Sequence, residues 1–114
     1  MRLLPFLQRR LKKVLIICQS APGSKRRLAE EGIRLAAGLA ATGRLKVDLV
    51  LKDGGLLFLE PEFSGSASTW ESLASPTSRV LVPASARIRP GGPKVEKVAD
   101  PEKLAQAADL MLRF

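Results

Sequence analysis

Apolar and polar positions along this chain form blocks that predict strands and helices in alternation. The continuous apolar run Val14–Cys18, preceded by two lysines, is typical of a strand buried on both faces of a parallel sheet. A turn-rich loop follows, and leucines then recur at helical spacing as far as Thr42 and Gly43. Ser24 is the predicted N-cap of this helix, and Gly43 suits the left-handed residue that ends it.

The rest of the chain continues this alternation. Further elements are predicted in the order strand 46–51, short helix 56–59, helical turn 69–73, strand 79–82 and strand 95–98. Asp100 is the predicted N-cap of a last helix, with Pro101 in its first turn. Residues 110–114 fit either an extension of this helix or a fifth strand, and their spacing does not decide between the two. The order of elements predicts an α/β domain with a mainly parallel sheet, in which ligands bind beyond the strand ends.

Residues 1–11 form a separate segment ahead of the domain, which we assign to residues 12–114. Leucines at helical spacing predict an amphipathic arm or helix that packs on the body or on a neighbouring subunit. Its arginines also allow a helix lying on a membrane surface. No apolar run approaches the roughly 20 residues that a membrane-spanning helix requires.

Composition excludes several kinds of chemistry. The chain has no histidine and one cysteine, so it cannot form a Ser–His or Cys–His pair, an intramolecular disulfide or a cysteine zinc cluster. The order Gly23-Ser24-Lys25 does not match a nucleotide P-loop, and no dinucleotide fingerprint occurs. We therefore expect no cofactor and no metal, and a cytoplasmic location suits a chain with one free thiol.

Charge is unevenly distributed over a net value of +8. Residues 1–13 carry five bases and no acid, residues 53–76 carry four acids and no base, and bases dominate again after residue 78. A basic excess attracts RNA, anionic lipid or an acidic partner protein. Aromatic residues are scarce, so RNA binding would depend on phosphate contacts and would weaken steeply with salt.

The loops after the first three strands carry the candidate anion site. Cations and small polar residues recur there, and parallel strands bring these loops to one edge of the sheet. The expected site residues are Ser24, Lys25, Asp53, Gly54, Ser85 and Arg87. Simpler roles are open for each of them. The cations after Ser24 can pair with acids one turn later, Asp53 can serve its own turn, and Arg87 can be a solvated loop charge.

Cys18 ends the first strand, at the edge where functional groups are expected. A reactive thiolate there would need exposure and a nearby positive charge, which the region of Lys25 could supply. A cysteine in an apolar strand otherwise behaves as a small buried hydrophobe, and we expect this second role.

The layout resembles the DsrE/DsrF-like superfamily, which includes the TusB, TusC and TusD sulfur-relay subunits. The resemblance covers about residues 12–114 and rests on the order of five stretches: the lysine-led strand 12–18, Thr42-Gly43, Lys52-Asp53-Gly54-Gly55, Ser85-x-Arg87 and the ending 108–114. It implies a three-layer α/β/α sandwich with a five-stranded, mainly parallel sheet. A similar ending in the family forms the last strand, so the resemblance favours a strand at 110–114.

Active members of the family carry a persulfide-forming cysteine just after the third strand. The corresponding stretch here, residues 82–85, reads Val-Pro-Ala-Ser, and serine cannot hold a persulfide. The resemblance therefore implies a non-catalytic binding or assembly subunit that forms a dimer, trimer or hexamer, or a hetero-oligomer with related subunits. Two alternatives remain: a sulfurtransferase-type carrier that uses Cys18, and an RNA- or tRNA-binding protein that uses the basic faces.

Overall fold

The computed structural model describes residues 12–63, 67–89 and 92–114. The predicted arm, residues 1–11, lies outside this range. The elements in chain order are β1 Lys12–Cys18, α1 Leu28–Ala41, β2 Leu45–Leu51, the 3₁₀ helix η1 Asp53–Leu59, α2 Ala67–Leu73, β3 Ser78–Pro83, β4 Glu96–Val98, the 3₁₀ helix η2 Pro101–Ala107 and β5 Leu110–Arg113. Strands and helices thus alternate as the sequence predicts.

The five strands form one parallel sheet in the order β4-β3-β2-β1-β5. The chain moves outward from β1 through β4 and then returns to the other side of β1 as β5. Strand order therefore reverses between β1 and β5, and such a switch point is where open α/β sheets place ligands, beyond the carboxyl ends of the strands.

Helical segments cover both faces of the sheet unequally. One face, here called the α1 face, packs against α1, α2 and η1 and contains most of the buried side chains. The opposite η2 face is covered by η2, which packs on a smaller cluster formed by Leu15, Ile17, Val50 and Leu81. This three-layer arrangement confirms the predicted fold class.

The start of α1 differs from the prediction. The helix begins at Leu28, and its N-cap is Arg27 in the left-handed conformation (φ 49°), so the assignment of Ser24 as N-cap is wrong. The backbone uses residues 21–27 in two successive turns, closed by Ser24 N–H to the Ala21 carbonyl and by Arg27 N–H to the Ser24 carbonyl. The three cations of residues 25–27 consequently precede the first helical residue, Leu28.

The end of α1 and the last two elements of the chain agree with the sequence more closely. Gly43, just beyond α1, has φ +69°, as expected for the residue that ends a helix. Asp100 caps η2 by accepting the Glu102 N–H at 3.1 Å, and Pro101 is its first residue, although the helix is 3₁₀. The ambiguous ending is strand β5, which pairs in parallel with β1.

Gly32 sets how closely α1 approaches the sheet. A Cβ atom at this position would lie 2.7 Å from Cys18 Sγ and 2.8 Å from the ring of Phe114. Real Cβ atoms do not come so near other heavy atoms, so the helix, β1 and the end of β5 can pack together only because residue 32 has no side chain.

Gly32→Ala should destabilise the fold by about 1–3 kcal/mol, the usual cost of overpacking a core. Gly38→Ala, on the same helix, is the matched control because its Cβ would meet nothing within 4 Å. There the gain in helix propensity should stabilise the fold by about 0.5–1 kcal/mol. Urea denaturation measures both, and equal effects of the two substitutions would contradict the packing role of Gly32.

Candidate functional site

The loops after β1 and β2 pack tightly against each other at the carboxyl edge of the sheet. Lys52 N–H donates to the Cys18 carbonyl at 3.1 Å. A Cβ on Gly54 would lie 2.7 Å from the Ala21 nitrogen, and one on Gly55 would overlap the Cys18 carbonyl oxygen. The two glycines therefore allow backbone to meet backbone, which gives Gly54 a packing role whether or not it contacts a ligand.

Asp53 begins η1 in an unusual conformation, with φ +51°. Aspartate tolerates the left-handed region better than most residues. The carboxylate is exposed and accepts no hydrogen bond from the described residues, so the suggested role in its own turn is not seen. Its side chain is instead open to solvent beside the loop contact made by Gly54.

Charged side chains fill the switch point between β1 and β5 on the η2 face. The Glu102 carboxylate accepts hydrogen bonds from Lys52 Nζ and Arg113 Nη2, both at 2.8 Å, and from Arg113 Nη1 at 3.2 Å. Gln19 Oε1 also accepts from Arg113 Nη1 at 3.2 Å. These four residues, here called the switch-point cluster, join the ends of β1, β2 and β5 to η2.

The switch-point cluster holds Glu102 in its ionised form. Hydrogen bonds from Arg113 and then from Lys52 lower the pKa of Glu102 to about 2. Two cations surround one carboxylate, so the cluster keeps one positive charge in excess. None of these four residues is among the site residues predicted from the sequence. One available signal was that Gln19 and Lys52 are the first polar residues after their apolar strands.

Cys18 lies inside the core on the α1 face and is fully buried. Its Sγ donates to the Ala29 carbonyl at 3.6 Å. Burial, with a smaller effect from the Glu30 carboxylate, raises the pKa of the thiol to about 12. The predicted role as a small buried hydrophobe is confirmed, and the positive charge expected from Lys25 does not lower the pKa.

The loop after β3 is held by its backbone and by one ion pair. Ala84 N–H donates to the Val98 carbonyl at 2.8 Å, which leaves Ser85 exposed on the turn. Arg87 is exposed as well. Two residues further on, Arg89 Nε lies 3.1 Å from Glu60 Oε2 and so connects this loop to the end of η1.

The loop before α1 presents cations around an unsatisfied hydroxyl. Ser24 Oγ is buried and has no hydrogen-bond partner among the described residues. Lys25 is exposed, and the expected pairing of the following arginines with acids one turn later is absent from the described residues. Glu30 instead accepts the Gly23 N–H at 2.7 Å, which fixes the loop against the helix.

The predicted site residues are thus brought together in part. Close backbone contact joins the β1 loop to Gly54, and an ion pair joins η1 to the β3 loop. Within the ranges that the structure describes, no hydrogen bond or ion pair connects Ser24 or Lys25 to Ser85 or Arg87. Each of the six side chains or glycines nevertheless follows the carboxyl end of a parallel strand.

The described residues contain neither a metal-binding cluster nor a membrane-spanning helix. No group of three or more Cys, Asp or Glu side chains is arranged to hold a metal ion. Among the helices of the described chain, none is both long enough and apolar enough to cross a membrane.

Comparison with known proteins identifies the fold. The structure is similar to the crystal structure of the ychN protein from E. coli, with a TM-score of 0.64 and 21% sequence identity over 91% of this chain and 100% of that chain. No family model matches the sequence, and no curated protein matches it. The structural likeness supports a DsrE-like α/β fold, as the sequence resemblance implies.

The switch-point cluster should make the stability of the fold decrease at acidic pH. The folded-state pKa of Glu102 is lowered from 4.5 to about 2, so its ion pairs stabilise the fold above pH 4.5 and are lost as the pH falls toward 2. Because these side chains are exposed, each pair should contribute about 1 kcal/mol or less.

Urea denaturation of the wild type and of Glu102→Gln from pH 7 to pH 2.5 measures this contribution. The difference in unfolding free energy should be constant near neutrality and shrink below pH 4.5. Glu62→Gln is the control, since Glu62 is exposed and unpaired among the described residues. A difference that grows in acid would show that the cluster does not stabilise the ionised carboxylate.

Proposed function

We propose that this chain is a non-catalytic, DsrE-like binding and assembly subunit. The observation that carries the proposal is the state of its one thiol. Cys18 is enclosed in the core with a pKa raised to about 12, and the turn after β3 holds Ser85 at an exposed position. A chain without an accessible thiolate cannot carry a persulfide, and what remains to it is binding.

The ligand that we propose for the carboxyl-edge loops is a small anion. Lys25 and Arg87 are exposed cations without an ion-pair partner among the described residues, and the hydroxyl of Ser24 is unsatisfied. Asp53 and Gly54 would form the floor between these loops. A cation and a hydroxyl on neighbouring loops are suited to sulfate, phosphate or carboxylate oxygens.

The surface that we propose for assembly lies where α1 meets β5. Leu28 and Leu35 are exposed on α1, on the same side of the helix as Gly32. Gly32 lies against the ring of Phe114, so this side of α1 is next to the end of β5. Leu110 is 51% exposed and projects from the α1 face of β5, the same face as Leu112, which packs against the core. We call Leu28, Leu35 and Leu110 the apolar patch. Exposed apolar groups beside an open strand edge are typical of protein–protein contacts.

Association with intracellular sulfur relay belongs to the same proposal. Its support is the DsrE-like fold together with the sequence resemblance. In such a relay the chain would hold neighbouring subunits or an anionic group and would leave sulfur transfer to a subunit that has the cysteine. A cytoplasmic location accompanies this role.

Native thiol labelling tests the non-catalytic assignment. A thiol with a pKa of about 12 is ionised at pH 8 in roughly one molecule in 10⁴, so Cys18 should resist iodoacetamide in the folded protein and react after unfolding in guanidinium. Ser85→Cys places a thiol on the exposed turn and should be labelled once, rapidly, without unfolding.

The wild type and Ser85→Cys are then each incubated with a persulfide donor. Mass spectrometry measures whether the protein has gained a sulfur atom. The wild type should gain no sulfur atom, whereas Ser85→Cys should accept one as its thiolate displaces the donor thiolate. If the wild type gains a sulfur atom and Cys18→Ala abolishes the gain, Cys18 is a carrier and the proposal is wrong.

Sedimentation velocity tests the assembly role. The wild type should sediment as an oligomer, and Leu35→Glu or Leu110→Glu should shift it to the monomer because each places a charge in the apolar patch. Leu57→Glu is the matched control, since Leu57 is 43% exposed on η1 and lies outside the patch. A monomeric wild type, or equal dissociation by the control, would contradict self-association through this patch.

A further inference from the structure

A second polar cluster lies at the opposite end of the sheet, on its η2 face. Strand register places Lys13 of β1 beside Lys46 of β2, and Asp48 of β2 beside Arg79 of β3. Residues two apart along a strand share a face, so all four side chains project from the face that η2 covers further along. We call these four residues the amino-end cluster.

Asp48 holds Arg79 in a fixed orientation. Its carboxylate oxygens accept hydrogen bonds from Arg79 Nε at 3.1 Å and from Nη2 at 2.9 Å. The Asp48 side chain is only 5% exposed, whereas that of Arg79 is 43% exposed. This bidentate contact raises the pKa of Arg79 and leaves its Nη1 group directed away from the carboxylate, ready to donate to another acceptor.

The amino-end cluster surrounds a hollow of about 310 Å³, which Pro76 and Thr77 complete. Lys13 and Lys46 face each other across neighbouring strands, and neither forms an ion pair with the described residues. Like charges directly opposite each other in a sheet are destabilising. Three cations thus line the hollow with one buried carboxylate, an excess of two positive charges. Two other acids are outside the lining: Asp109 accepts the backbone N–H of Lys13, and Glu96 of β4 acts electrostatically on Arg79.

We propose that this hollow binds a doubly charged oxyanion, the phosphate group of a small molecule. Arg79 would donate from Nη1, and Lys13 and Lys46 would supply the two charges that balance the dianion. A planar guanidinium fixed by a buried acid is suited to the oxygens of phosphate, and flexible ammonium groups act as point charges beside it.

A small molecule fits these observations better than a nucleic acid does. Polymer binding depends on a stripe of cations that follows many phosphates along a backbone. Here the cations converge on one concave hollow instead. The hollow is also separate from the carboxyl-edge loops, because the six residue steps from Lys13 to Gln19 span roughly 20 Å of extended strand.

Amide chemical shifts measured during a titration with inorganic phosphate test the site. Residues lining the hollow should shift together and saturate. Lys13→Gln and Lys46→Gln should each weaken binding about threefold or more, the range expected for loss of one exposed ion contact. Lys12→Gln is the matched control, because it removes the same charge one residue away on the opposite face of β1. Its affinity should equal that of the wild type.

The buried acid provides a second test. Asp48→Asn adds one positive charge to the hollow and removes the ionic hold on Arg79. If Asp48 orients Arg79 for binding, this variant should bind phosphate more weakly. If the positive charge of the hollow alone attracts phosphate, the variant should bind it more strongly. The lysine variants break no contact between described side chains, so they keep the proposal testable if Asp48→Asn fails to fold.

Several results would overturn the proposal. If Lys12→Gln and Lys13→Gln weaken phosphate binding equally, phosphate is attracted by the general positive charge of this sheet edge and not by the hollow. Stronger phosphate binding by Asp48→Asn would lead to the same conclusion. Shifts confined to the carboxyl-edge loops, and abolished by Lys25→Gln or Arg87→Gln, would place phosphate there instead. Shifts of the amino-end cluster with a short single-stranded RNA but none with inorganic phosphate would show a nucleic-acid surface.

Discussion

The architecture depends on how closely other parts of the chain approach strand β1. This strand pairs on both sides, and its buried residues contact helical segments on both faces. The approach is possible because Gly32 and Gly55 present no side chain to Cys18, from α1 and from the β2 loop respectively. Three segments distant in sequence therefore meet around one small residue. The same crowding buries the thiol and sets the position of the carboxyl-edge loops.

Local sequence patterns predicted most of the fold. Apolar runs identified β1, β2 and β3, and Asp100 with Pro101 marked the start of η2. The start of α1 was missed because Ser24 has the chemistry of a cap, but its carbonyl and N–H are used in turns. The last strand could not be assigned from periodicity, since its pairing with β1 is a long-range contact that four residues cannot encode alone.

The candidate site was predicted less completely, and the reason is sequence separation. Strand order alone places Asp53, Gly54 and Ser85 at one edge. The switch-point cluster, by contrast, joins Gln19 to Arg113 and Lys52 to Glu102, partners that are 94 and 50 residues apart. Nothing in the local pattern around such residues identifies the partner. The parallel sheet and its strand order supply the missing geometry, because they bring the ends of β1, β2 and β5 together.

The Asp48–Arg79 contact also affects which sheet the chain can form. The pair joins register neighbours on β2 and β3, with both side chains on the η2 face. A slip of β3 by one residue would turn Arg79 toward the α1 face, among the apolar side chains of the main core. Asp48 would then be left without its ion-pair partner. Each error buries an uncompensated charge, which is strongly destabilising. One ion pair thereby selects a single alignment from the many that uniformly apolar strands would tolerate.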